Sequence, residues 1–189
     1  PLLWVALLQP IAYFLFETFG VSLITSSQAG MLIALIPIFV IILSAVFLGE
    51  RPSWQQVGFI VLSVAGVMFI AWQQSATAGA TRWLGLTLIM GAVITAAFFN
   101  IGSRRASAKF TPVEVTCVMM WVGAIIFNAL AFLVHWRAGN LATFFTPLAD
   151  PQIIMALLYL GIGSSVLAFF LVNYSLSHLP ASQSAVFGN

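Results

Sequence analysis

Six apolar runs, at approximately residues 2–24, 28–49, 54–73, 83–103, 113–136 and 152–178, follow one another with only polar joints between them. A helix rises 1.5 Å per residue, so about 20 apolar residues span a hydrocarbon layer of roughly 30 Å. Six such runs cannot all be hidden in a water-soluble core of 189 residues, and only six basic and four acidic residues are available to solvate one. Soluble domains are about one quarter charged, whereas 62% of this chain is hydrophobic and its mean hydropathy is +1.11. The expected fold is an all-α membrane protein, a polytopic helical bundle, with a further apolar segment opening near residue 182.

The joints are "TSSQ" at 25–28, "ERPS" at 50–53, "QQSATAGATR" at 73–82, "RRASAKFTP" at 104–112, "RAGNLATFFTPLADP" at 137–151 and "HLPAS" at 178–182. Successive joints alternate sides of the bilayer, which puts Arg51, Arg104, Arg105 and Lys109 on one side and Arg82 and Arg137 on the other. Basic loops favour the cytoplasm, so Glu50 and Arg51 mark a cytoplasmic boundary and Pro1 lies at the cytoplasmic end of the first span. The chain opens without a methionine or a signal peptide and stops as an apolar segment begins, which reads as the inside of a longer protein.

Several chemistries find no support. A net charge of +2 is too slight to argue for nucleic acid, and Cys117 as the sole cysteine excludes an internal disulfide and a cysteine-based metal site. His135 and His178 fall on opposite sides of the membrane, so no shared metal is expected. "GIGSS" at 161–165 lacks the flanking residues of a nucleotide-binding loop. No cofactor is expected.

An internal repeat carries more information. "FLFETFGVSLITSSQAGML" at 14–32 lies over "FFLVNYSLSHLPASQSAVF" at 169–187 with a constant offset, pairing Phe14, Ser22, Ser27 and Gln28 with Phe169, Ser177, Ser182 and Gln183. Both copies are an aromatic helix that ends in a small polar joint and opens another helix. An odd number of spans separates them, so they cross the membrane in opposite directions. Inverted repeats are the architecture of many secondary transporters, with the substrate site at the midplane between the halves.

The stretch "SSQAGMLIALIPIFVIILSAVFLGERPSWQQVGFIVLSVAGVMFI", 26–70, resembles the signature of the EamA family of the drug/metabolite transporter superfamily. Pro37, Gly49, Glu50, Gln56, Gly58 and Gly66 occupy its proline, "LGE", glutamine and glycine places. "LGLTLIMGAVITAAFFNIGSRR" at 84–105 and "LYLGIGSSVLAFFLVNYSLSHLPASQSAVF" at 158–187 look like parts of its second unit. The resemblance implies ten helices in two inverted five-helix units. Residues 1–73 would supply helices three to five, and residues 83–189 helices six to eight with the start of nine. It also implies movement of a small metabolite, an amino acid or related compound, with export the favoured direction, across the inner cell membrane.

Glu17 is the only acidic residue inside a span, and a mid-membrane charge costs about 3 kcal/mol on insertion scales, so it is expected to face the bundle interior. Gln9, Tyr13, Glu17 and Gly20 share its helical face. Glu17 reads equally as a contact for a substrate amine or coupling proton and as a hydrogen-bonded bridge between helices. Asn100 and Asn173 are further candidates for reading a solute, although interhelical hydrogen bonding is the preferred reading of each. Cys117, Trp121, Ala124 and Asn128 line a face assigned to packing. Pro37 is expected to bend its helix beside a cavity. No catalytic or metal-binding residue is expected. The expected partners are a small-molecule solute and the lipid bilayer, and a homodimer is an admissible assembly. A membrane enzyme acting on a lipid-linked substrate and a non-transporting scaffold are the alternatives. The first would need clustered catalytic groups at one interface, and the second would leave Glu17 without a cavity.

Overall fold

A computed structural model describes residues 2–50, 52–73 and 80–187; Arg51, one of the two boundary residues, lies outside them. Among the described residues every regular element is helical. We name the helices α1 (Leu2–Val21), α2 (Ser26–Phe47), α3 (Trp54–Gln73), α4 (Ala80–Ala106), α5 (Pro112–Arg137), α6 (Pro151–His178) and α7 (Ala181–Phe187). Five of them, α1, α2, α4, α5 and α6, are long and apolar enough to cross a membrane. The protein is thus an all-α polytopic membrane protein, with helices where the apolar runs lie and ends displaced by a few residues.

Three helices are interrupted. The residue before a proline is pushed out of the helical region, and Gln9, ahead of Pro10, has φ −143° and ψ 124° inside the π-helical turns Leu7–Ala12 of α1. In α2 the break falls between Ile33 and Ile36, with Pro37 in the first turn of the second half, where its missing N–H is tolerated. The chain tightens just ahead of it, Leu35 N–H donating to the Leu32 carbonyl at 3.0 Å. In α6 the residues Tyr159–Leu167 are π-helical, and Ser165 Oγ donates five residues back to the Leu160 carbonyl at 2.8 Å. The "GIGSS" segment is therefore helix and not a loop.

The middle of α4 is the centre of the bundle. Ile89, Ala92, Val93, Ala97 and Phe99 are fully buried or nearly so, and its small residues let α1 and α2 approach closely, since packing rather than water drives helices together in lipid. Pro10 from α1 seats against Gly123 of α5, where an added Cβ would lie 2.8 Å from Pro10 Cγ. The opposite faces of α5 and α6 are apolar and exposed, Trp121, Ile125, Met155 and Tyr159 among them. Such a surface would drive aggregation in water and suits lipid instead. Trp4, Trp54, Trp83 and Trp136 are also exposed, as interfacial anchors are. The face of Cys117, Trp121, Ala124 and Asn128, assigned above to packing, points away from the described core; the Asn128 amide bonds back to its own helix, Nδ2 to the Ala124 carbonyl at 2.8 Å.

Candidate functional site

A cavity of about 140 Å³ opens where the breaks of α1 and α2 meet the middle of α4. Gln9 and Tyr13 reach it from α1, Ile33 and Ile36 flank it on either side of the α2 break, and Asn100 enters from α4. Phe169 and Val172 of α6 and Ser184 and Ala185 of α7 close the remaining walls. The walls are mostly apolar with a few polar groups, the usual make-up of a small-molecule site.

Those polar groups are only partly engaged within the described residues. Asn100 is buried and its Nδ2 donates to the Ala96 carbonyl on its own helix at 2.8 Å, while its side-chain oxygen takes no hydrogen bond among those described. Ser184 Oγ donates to Ser175 Oγ at 2.9 Å. Tyr13 donates its hydroxyl proton to Glu17 Oε1 at 3.1 Å. Glu17 itself is half-buried and stands one turn beyond the cavity wall, so it meets the cavity through Tyr13.

Asn173 lies elsewhere. It is 1% exposed and ties three helices together: its Oδ1 accepts from Ser103 Oγ of α4 at 2.7 Å, and its Nδ2 donates to Thr116 Oγ1 of α5 at 2.9 Å. Both ends of the amide are occupied by protein, as an interhelical bridge requires.

Pro37 sits in the turn after Ile36, and the α2 break borders the cavity. The far end of α2 leads to Glu50. Gly49 takes φ +68°, a left-handed conformation open to glycine without penalty, and turns the chain so that the Glu50 N–H donates to the Ser44 carbonyl at 3.2 Å. The Glu50 carboxylate then crosses to the first turn of α7. Its Oε1 accepts from Ala181 N–H at 2.9 Å, and its Oε2 accepts from Ser182 N–H at 3.2 Å and Ser182 Oγ at 2.8 Å. Burial alone would raise the Glu50 carboxyl, but these hydrogen bonds hold it below the usual carboxylate range.

Basic residues at the end of α4 complement the neighbouring helix C-termini. Arg104 Nη1 donates to the carbonyls of Leu176 and Ser177 at the end of α6, at 2.9 and 3.1 Å, and Arg105 Nη2 donates to the Phe47 carbonyl at the end of α2.

Of the candidates expected from the sequence, Gln9, Tyr13 and Asn100 meet at one cavity. Ser184 and Ala185 are not among those candidates; they fall in the apolar segment that opens near residue 182. The repeat pairs Phe169 with Phe14 and, at the same offset, Val172 with Glu17, and that pairing is the signal the sequence offers for this wall. Phe14 and Phe169 in fact pack edge to face, with ring centroids 6.3 Å apart.

Residues 1–72 and 83–189 match the EamA-like transporter family. Over 184 residues the chain is 39% identical to the uncharacterized transporter YcxC of Bacillus subtilis (strain 168), covering 97% of this chain and 59% of that protein. It is 27% identical over 175 residues to the probable terminal-alkyne amino-acid exporter of Streptantibioticus cattleyicolor, covering 92% of this chain and 54% of that one. An uncharacterized transporter of Archaeoglobus fulgidus is 29% identical over 176 residues, with 93% and 58% covered. The chain therefore spans a little over half the length of these relatives. No solved structure matches it.

Proposed function

The chain belongs to the EamA-like transporter family, and on that premise we propose that it is part of a secondary transporter that moves a small amino-acid-like solute across the inner cell membrane by alternating access, in the direction of export. The observation that carries this reading is the cavity itself. It lies where two discontinuous helices meet, and interrupted helices near the membrane midplane are where many secondary transporters bind their substrates. The contact between Phe14 and Phe169 supports an inverted repeat, because equivalent residues meet where they lie near a pseudo-two-fold axis.

In this reading Gln9 and Asn100 present amide donors and acceptors to the polar end of the solute, and Ile33, Ile36 and Val172 meet its apolar part. Tyr13, already donating to Glu17, offers its oxygen lone pairs to a substrate ammonium. The substrate class and direction proposed here follow the name of one relative, the probable terminal-alkyne amino-acid exporter, which is 27% identical to the chain.

The test is solute flux in proteoliposomes carrying the full-length protein, against a panel of amino acids and related metabolites. Flux of at least one amino-acid-like solute is expected, with Gln9→Ala and Asn100→Ala each raising KM about tenfold, the loss of one polar contact of about 1.4 kcal/mol. Flux that is unchanged in both variants would remove the cavity from the substrate path.

A further inference from the structure

Glu50 and the start of α7 stand between two spaces. On one side is the cavity, which α7 lines with Ser184 and Ala185. On the other is an open vestibule at the end of the bundle, lined by Ser53 just ahead of α3, by Gln55 and Gln56 in its first turn, by Ser182 and Gln183 from the first turn of α7, and by Glu50 itself. One helical turn therefore has the vestibule on its Ser182–Gln183 side and the cavity on its Ser184–Ala185 side. Nothing in the local sequence caps that turn: the residue in the capping place is Pro180, which has no side-chain acceptor. The turn is held from α2 by the Glu50 carboxylate through the three hydrogen bonds from Ala181 and Ser182.

We propose that Glu50 is a positioning residue for transport, a latch that docks the first turn of α7 across the path between the vestibule and the cavity and thereby keeps the cavity closed on that side. Releasing the carboxylate frees two α7 amide protons and the Ser182 hydroxyl to water at once, so the turn can swing away without unfolding the rest of the bundle. The chemistry suits a reversible junction: its three donors sit on one turn of α7, its acceptors belong to one side chain, and both sides of it can be solvated from the vestibule when they part. Gly49 places the carboxylate and Arg105 ties the adjacent end of α2 to α4, so the α2 side is the fixed jamb and the α7 side the moving leaf.

This inference rests on the transport reading for its purpose, but its test does not need a substrate. In the full-length protein with Cys117 and any cysteine outside these 189 residues replaced by serine, a cysteine introduced by Ser184→Cys reports on the cavity. Its labelling by a membrane-impermeant thiol reagent is measured in proteoliposomes, applied in turn from the Glu50 side and from the opposite side. With Glu50 intact, labelling from the Glu50 side is expected to be slow. Glu50→Ala should speed it about tenfold, Glu50→Gln less, because the amide keeps one acceptor oxygen, and Ser182→Ala least. None should speed labelling from the opposite side. Equal rates from the Glu50 side in all variants would overturn the latch. So would acceleration from both sides alike, which reports a loosened bundle. A one-sided response without flux of any solute would instead leave the latch standing and remove the transport reading.

Discussion

The helices α2 and α7 open on related sequences, "TSSQ" at 25–28 and "PASQ" at 180–183, which share their Ser-Gln pair, yet they are held by different means. At α2 the cap is local. Thr25 Oγ1 accepts from Gln28 N–H at 3.3 Å and Gln28 Oε1 accepts from Thr25 N–H at 3.4 Å, a reciprocal capping box. The same device opens α3 with Ser53 and Gln56 and α5 with Thr111 and Glu114, while Asp150 caps α6. At α7 a proline replaces the threonine, and the acceptors come from Glu50, 131 residues earlier in the chain. A local cap cannot be opened without fraying its helix; one supplied by another helix can let go as a unit.

The largest effect is expected for Glu50→Ala, which strips three donors of their acceptors and should lower the stability of the full-length protein in detergent by about 2 kcal/mol, allowing for its partial exposure. Hydrogen exchange should locate the loss at the Ala181 and Ser182 amides. Thr25→Ala should cost about 1 kcal/mol, the usual worth of an N-cap, and leave the α7 amides as protected as before. If Thr25→Ala exposes α7 equally, the two starts are not independent.

A sharper test rebuilds the local device at the second start. Pro180→Thr, with Gln183 already three residues on, restores the pattern of a capping box and should recover about 1 kcal/mol of the Glu50→Ala loss. The same substitution should also slow the cavity labelling that Glu50→Ala accelerates. No recovery in either measurement would mean that the carboxylate does something other than cap.

The smallest effect expected is on pH. Glu50 is held below the usual carboxylate range when folded, so its folded value lies under its unfolded one. Its contribution is then fully present above the ordinary carboxylate pKa and is lost as pH falls through the lowered folded value. Protection of the Ala181 and Ser182 amides, corrected for intrinsic exchange, should decline in that acid window in the unmodified protein and show no such step in Glu50→Gln.

How legible these features were depended on their range. The helix positions followed from apolar length, and the α1 and α2 breaks fall at or beside prolines that mark them in the sequence. Gln9, Tyr13 and Asn100 stood out because polar groups inside apolar runs are rare, and rarity is visible without a structure. Asn173 stood out for the same reason and proved to be a bridge, since its surroundings, Ser103, Thr116 and Met119, come from other helices. Ser184 was hidden by the reverse circumstance: a serine among small polar residues at a helix start carries no signal of what it faces.

The sequence by itself determined an all-helical chain, where its helices run and which residues punctuate them. A bilayer demands a fixed apolar length and backbone hydrogen bonds closed within each helix, and both are properties of contiguous residues. Only the tertiary structure decided which polar groups meet. The cavity draws on α1, α2, α4, α6 and α7, and the cap of α7 comes from the turn that follows α2. A helix positions a side chain by its rotation and depth against its neighbours, and those depend on the packing of small residues and prolines between helices far apart in the chain.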